Sequence, residues 1–223
     1  MKLARRDGAG GLRAIVWDMD GTLIDSARAV PDAYVAAVSR LGGRRLTRDE
    51  VIAAYHLGPA AVILAHLLGR ASTPADVEQY LACLRANAPS ARPYPGVAAT
   101  LQALRPLVEL AVFTGASHAS ALTLLEPAGL LRYFTRVVGG DEVEHQKPAP
   151  DGVLRACRDL GVEPGAAAYI GDSPSDLEAA RRSGASAVAA GWGHLHNATA
   201  PADLVLARPE ELLEIVRADP AGA

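Results

Sequence analysis

The residues best suited to chemistry are Asp18 and Asp20, one residue apart in Ile15-Val16-Trp17-Asp18-Met19-Asp20-Gly21-Thr22. Two carboxylates this close repel each other. A bound cation relieves the repulsion, and hard oxygen donors favour Mg2+. With the cation in place, one carboxylate can stay ionised as a nucleophile while the other handles protons. The apolar run before Asp18 and the break at Gly21 read as a buried strand of a parallel sheet. Ligands of such sheets bind at the carboxyl ends of the strands, where these carboxylates would sit. A strand followed by an Asp-Gly turn is also common without any chemistry, so residues further along decide between the two readings.

Three later positions supply partners of the right kind. Thr114-Gly115 follows the apolar run 107–113, and Gly171-Asp172-Ser173-Pro174-Ser175-Asp176 follows the apolar run 167–170. Lys147 lies in a loop before a helical pattern. The chain has 22 Lys plus Arg, yet its lysines are Lys2 and Lys147 alone, so a lysine at 147 asks for a specific role. If the strands are parallel, their carboxyl ends share one edge and these residues converge there. Three carboxylates can hold one Mg2+, and the cation with Lys147 can neutralise a phosphate, which outlines a phosphoryl-transfer site.

The elements that must position these residues alternate. Strands are expected at about 13–18, 107–113, 136–138, 167–170, 187–190 and 204–206, with helices at about 96–104, 117–125, 148–160, 173–183 and 209–216. Alternation of this kind predicts an α/β fold with a doubly wound parallel sheet. Between the first two strands lies a helical run. It holds a helix from about 26 to 41 stopped by Gly42-Gly43, a capping box at Thr47-Arg48-Asp49-Glu50, a break at Gly58-Pro59, and a fourth helix opened by Thr73-Pro74. The expected organisation is therefore an α/β core of residues 1–24 and 91–223 with an inserted α-helical domain of residues 25–90. Residues 1–11 read as a flexible leader.

These motifs resemble those of the haloacid dehalogenase (HAD) superfamily. Asp18-Met19-Asp20-Gly21-Thr22 is similar to its first motif, Thr114-Gly115 to its second, Lys147-Pro148 to its third and Gly171-Asp172-Ser173-Pro174-Ser175-Asp176 to its fourth. The wider Lys147-Pro148-Ala149-Pro150-Asp151 resembles the phosphoglycolate-phosphatase-like branch, and the helical insert falls where subfamily I carries its C1 cap. The likeness spans about residues 13–216 and rests on four motifs in order. It implies a HAD-like Rossmannoid core and a Mg2+-dependent phosphatase working through an aspartyl-phosphate. In that scheme Asp18 is the nucleophile and Asp20 the general acid and base. Thr114 and the amide of Gly115 hold phosphate oxygens, and Lys147 clamps both Asp18 and the phosphate. Asp18, the Asp20 backbone carbonyl and Asp172 ligate the metal, and Asp176 supports them from behind. The family places a specificity loop near His56, which makes His56 a substrate-binding candidate.

Other polar residues carry less. His194-x-His196 lacks further ligands nearby and reads as a loop. His118 and His145 fall near the second and third motifs and could line an entrance. His66 reads as a helix residue, Trp192 as a packed loop aromatic, and Cys83 and Cys157 as small buried hydrophobes rather than a disulfide pair.

The reaction class narrows further. Asp20 speaks against a dehalogenase, which does not need that acid. The helical run contains no lysine, which speaks against a phosphonoacetaldehyde hydrolase and weakens a β-phosphoglucomutase-like sugar mutase, the main rival reading. A non-catalytic binding module is disfavoured because every motif is intact. The formal net charge is -3 and aromatics are few, so nothing points to a nucleic-acid or membrane partner. No targeting segment or span of about 18 apolar residues is visible. The expectation is a cytoplasmic enzyme, monomer or homodimer, acting on a small phosphorylated metabolite.

Overall fold

A computed structural model describes residues 11–218. The leader expected over residues 1–11 lies, apart from Gly11, outside them. A six-stranded parallel sheet runs in the order β5-β4-β1-β6-β7-β8, built from β1 (Ala14–Trp17), β4 (Glu109–Phe113), β5 (Arg136–Val138), β6 (Ala167–Gly171), β7 (Ser186–Ala190) and β8 (Leu204–Leu206). The strand β1 is central, pairing Trp17 with Val112 on one side and with Ile170 on the other. That central position explains its unbroken apolar sequence, since both faces are buried.

The two faces can be read from alternate residues. Ile15 and Trp17 of β1 join Leu110, Val112, Ala168 and Ile170 in one apolar cluster. Covering that face are α5 (Val97–Leu104), α6 (His118–Leu125) and α9 (Glu211–Arg217), through Leu101, Leu104, Leu124 and Leu212. Ala14 and Val16 face the other way, with Phe113 and Tyr169, against α7 (Asp151–Leu160) and α8 (Pro174–Ser183). Period-2 alternation thus yields helices on both sides of the sheet, the doubly wound arrangement the sequence predicts. Both cysteines are buried and unpaired.

Four helices lie between the first two core strands: α1 (Ala29–Arg40), α2 (Arg48–Ala53), α3 (Ala60–Leu68) and α4 (Pro74–Asn87). Thr47 and Thr73 both close capping boxes, accepting from the amides of Glu50 and Asp76. These boxes satisfy amides that the first turn leaves without partners. A short antiparallel ribbon absent from the sequence expectation joins this insert to the sheet. It pairs β2 (Ile24–Asp25) with β3 (Arg92–Pro93). Two-residue strands carry too little pattern to be read from sequence. Among the described residues no helix is long and apolar enough to cross a membrane.

Candidate phosphoryl-transfer site

Three of the four motifs end a strand, and the parallel order brings the ends together. Asp18 follows β1, Thr114 follows β4, and Asp172 follows β6. Lys147 reaches in from the loop before α7. Its Nζ donates to Asp18 Oδ1 and to Asp176 Oδ1, both at 2.6 Å. The ammonium also lies 5.5 Å from the Phe113 ring centroid and 5.8 Å from that of Tyr169. Gly115 is against the Lys147 stem, with the Cε 4.0 Å from where a Cβ would stand. Thr114 is buried, and its Oγ1 accepts from the Ala116 amide at 3.1 Å.

Asp176 is held from four directions. Oδ2 accepts from the amide and hydroxyl of Ser173 at 3.0 and 2.6 Å. Oδ1 accepts from Lys147 and from the Tyr169 hydroxyl at 3.1 Å, and that hydroxyl also reaches the Phe113 carbonyl at 3.0 Å. Asp172 is different. Oδ2 accepts from the Leu195 amide at 2.8 Å, whereas Oδ1 is buried without a hydrogen-bond partner among the described residues. Gly21 has φ +86°, a left-handed conformation that side chains rarely adopt, and a methyl there would run into the Asp172 carboxylate. The glycine of the first motif thus lets the loop after β1 lie directly on Asp172.

The charges are strained in a consistent direction. Burial pushes the Asp18 carboxyl well above its usual pKa against the pull of Lys147, and the charges of Asp176 and Asp172 push it further. Asp172 is raised by burial, with Asp176 adding repulsion. Burial works against the Lys147 ammonium, yet Asp176 and Asp18 outweigh it and hold its pKa well above normal. Carboxylate oxygens of Asp18, Asp172 and Asp176 all lie within 4.8 Å of one another. Three carboxylates against one ammonium leave an excess of negative charge in a buried site, where an unpaired charge is costly. A hard dication fits this donor set. The unpartnered Oδ1 of Asp172 is a ligand atom in want of a partner, and every donor is oxygen.

Asp20 stands apart from that trio. It accepts a short hydrogen bond from Ser26, and burial raises its pKa, so its proton is retained to higher pH than on an exposed aspartate. Around it lies a group that sequence reasoning missed. Tyr34 of α1 and Tyr80 of α4 stack with ring centroids 4.1 Å apart. Tyr55, in the turn 55–57 after α2, and Tyr94, just past β3, complete the group. Burial raises the pKa of all four phenols, that of Tyr94 to about 12, and the Asp20 charge adds to the shift in each case. Of six tyrosines, Tyr169 is tied directly to the site, through its hydrogen bond to Asp176. The signal was present, since so aromatic-poor a chain places Tyr34, Tyr55 and Tyr80 in the helical run.

The remaining candidates are scattered. His56 is exposed, with Nδ1 2.7 Å from the Ala53 carbonyl, although Gly58 two residues on lies beside Gln146, next to Lys147. His118, half-buried, lies 3.0 Å from Glu142, and His145, exposed, lies 2.9 Å from Asp151. His66 is exposed on α3. His194 Nδ1 meets the Tyr94 hydroxyl at 3.3 Å, and the Trp192 indole donates to the Thr22 carbonyl at 2.9 Å, tying the loop after β7 to the first motif.

Residues 12–184 match the family model of the haloacid dehalogenase-like hydrolases. The chain belongs to this family. It is 32% identical to the phosphoglycolate phosphatase of Chromobacterium violaceum over 220 residues, covering 92% of this chain and 97% of that one. Among solved structures, CbbY from Rhodobacter sphaeroides in complex with phosphate superposes with a TM-score of 0.78. It is 26% identical and covers 90% of this chain and 96% of that one. A subfamily IA HAD hydrolase from Geobacter sulfurreducens superposes with a TM-score of 0.67 at 27% identity, covering 93% of this chain and 98% of that one. This HAD-family chain is thus a phosphomonoester hydrolase of the phosphoglycolate-phosphatase-like branch.

Proposed function

We propose that this enzyme hydrolyses a small phosphorylated metabolite in two displacements at phosphorus, using Asp18 as nucleophile. The observation that carries the reading is Lys147, shared between Asp18 and Asp176 at the carboxyl edge of the sheet with Asp20 alongside. Lys147 engages Asp18 Oδ1, which leaves Oδ2 to attack. The new bond joins Oδ2 to phosphorus, the ester P–O bond breaks, and Asp20 gives its proton to the departing alkoxide. Asp20, now a carboxylate, takes a proton from water. The water oxygen attacks phosphorus, the bond to Asp18 breaks, and phosphate and free Asp18 are released.

Asp18, Asp172 and the Asp20 backbone carbonyl would hold Mg2+, which when bound would neutralise charge on the phosphoryl oxygens. Asp176 serves from behind the ligands. Its oxygens already accept from Ser173, Tyr169 and Lys147, which fixes the ammonium between phosphate and nucleophile. Thr114 and the Gly115 amide would take phosphate oxygens. The α1–α4 insert would act as a cap that excludes water during transfer. We place the enzyme in the cytoplasm, working on free metabolites.

The test is phosphate release from a panel of phosphorylated metabolites, with Mg2+ and with EDTA, by the native protein and by Asp18→Asn. Release that needs Mg2+ and vanishes in the variant supports the reading. Turnover that survives EDTA removes the metal from it, and an active Asp18→Asn protein removes the covalent step. Negligible release, restored as phosphate exchange by a sugar bisphosphate, would turn the reading to a mutase.

A further inference from the structure

Asp172 follows β6, and the loops after both neighbouring strands, β1 and β7, close on its carboxylate. The first approaches through Gly21 and the second through Gly193. A methyl on Gly193 would overlap the Asp172 Cβ and Oδ2 and the Gly21 carbonyl, so the second loop lies against both. Two residues on, the Leu195 amide donates to Asp172 Oδ2 at 2.8 Å. That bond occupies one oxygen and fixes the rotation of the carboxylate. Oδ1, buried and without a hydrogen-bond partner among the described residues, is left for a cation.

Trp192 joins these two loops to each other. Its indole Nε1 donates to the Thr22 carbonyl at 2.9 Å, and its half-buried ring packs on the apolar cluster that holds Trp17 and Leu212. Thr22 belongs to a tight turn. There the Met19 carbonyl accepts from the amides of Leu23 and Ile24 at 2.9 and 3.0 Å, and the Gly21 amide donates to the Ile24 carbonyl at 3.0 Å. Asp20 lies inside that turn, so a bond to Thr22 also restrains the Asp20 backbone. The loop that carries Trp192 is fixed at its base, where Gly191 donates to the Leu206 carbonyl at 2.8 Å and Gly193 to the Ala190 carbonyl at 3.1 Å. The indole therefore bridges two closed turns, and each presents one of the oxygens assigned to the cation, the Asp20 carbonyl on one side and Asp172 Oδ1 on the other.

We infer that Trp192 is a positioning residue for the cation, acting through Thr22 and the Leu195 amide to hold the Asp20 carbonyl and the Asp172 carboxylate at the spacing Mg2+ requires. This rests on the metal reading above and names what sets the affinity and selectivity of the same site. Mg2+ demands near-ideal octahedral geometry at about 2.0–2.1 Å, whereas Ca2+ accepts longer and more variable distances of about 2.3–2.6 Å. Loosening the two loops against each other thus penalises Mg2+ more than Ca2+. Removal of a group that orients a metal ligand weakens metal binding by about 10- to 100-fold.

The experiment titrates metal-free protein with MgCl2 and with CaCl2 by isothermal calorimetry, which needs no turnover. Trp192→Phe keeps a ring on the apolar cluster and removes the N–H. It should raise the Kd for Mg2+ by about tenfold and the Kd for Ca2+ by about threefold or less. The Mg2+ concentration that gives half-maximal hydrolysis of p-nitrophenyl phosphate should rise with the Mg2+ Kd. Gly193→Ala keeps the indole bond and crowds Asp172 directly. It should raise the Mg2+ Kd by about tenfold or more, again by a larger factor than the Ca2+ Kd. A merely structural role for Trp192 would lower the Tm of the metal-free protein and leave the ratio of the two Kd values as in the native protein, and that result overturns the inference. So does a Gly193→Ala protein that binds Mg2+ as the native one does. Should Trp192→Phe fail to fold, Gly193→Ala decides on the same ratio. Native protein that binds neither cation would sink the metal reading and the inference with it.

Discussion

The two sides of the Asp18–Asp20 pair are built from opposite materials. On the sheet side, Asp172, Asp176 and Lys147 form a buried knot of full charges, each placed to within a hydrogen bond. On the helical side, Asp20 accepts from Ser26, and its charge adds to the raised pKa of the neutral phenols of Tyr34, Tyr55, Tyr80 and Tyr94. Full charges in a buried site fix the geometry of one invariant group, the phosphoryl being transferred. Neutral hydroxyls discriminate among carbon skeletons without adding to the field at phosphorus.

Several substitutions would break or sharpen that contrast. The largest effect is expected from Asp18→Asn, which should lower kcat by about 10³-fold or more, since an amide cannot form the covalent intermediate. Single-turnover assays with burst analysis would check it. Lys147→Met comes next. It leaves Asp18 and Asp176 facing each other uncompensated, and removal of one partner from a buried ion pair costs about 3–5 kcal/mol. Urea unfolding without Mg2+ should show that loss, together with a steep fall in kcat. A metal-free Lys147→Met protein as stable as the native one would mean that the knot is less buried than its geometry indicates.

Asp172→Asn should act in the reverse sense on stability. Its carboxyl pKa is raised in the fold, so its charge opposes folding above the unfolded value near 4 and the cost disappears as pH falls below that value. At pH 7 without metal the variant should melt about 2–4 °C higher, the gap closing below about pH 4. Mg2+ should raise the Tm of the native protein and leave the variant unmoved. The smallest effect belongs to Asp76, in the capping box that opens α4. Hydrogen bonds from Arg70 and then Thr73 hold its carboxyl well below the usual range, so its contribution is present above about pH 4 and lost as pH falls further. Asp76→Asn should lower Tm slightly at pH 7, and the difference should fade toward about pH 2 with catalysis unaffected.

How much of this the sequence reveals follows the same division. Asp18, Thr114, Lys147 and Asp172 were legible because strand ends of a parallel sheet must share an edge, and because a lysine in a chain of arginines marks itself. Asp176 was legible as a neighbour of that centre, and its four hydrogen bonds support the backing role proposed for it. The strands and helices were legible from their periodicity, down to the capping box at Thr47 and the helix start at Thr73-Pro74. The phenols were not. Tyr34 and Tyr80 come from separate helices of the insert, and nothing in their local spacing says that helix packing stacks one on the other. The β2–β3 ribbon was equally hidden, because its pairing joins residues almost seventy positions apart through two-residue strands.

The loop after β7 has a consequence for any shortened form of the chain. Trp192 anchors to the Thr22 carbonyl, Leu195 donates its amide to Asp172, and Gly193 leaves no room for a side chain against Asp172 and the Gly21 carbonyl. The stretch that matches the family, residues 12–184, stops short of all three. A ribosome that has synthesised only that stretch has made every acidic residue of the site and Lys147, but not the latch that aligns them. The nascent enzyme therefore holds its reactive groups for some time before it can use them, and a fragment trimmed at the family boundary would carry a full set of motifs with an unfinished centre.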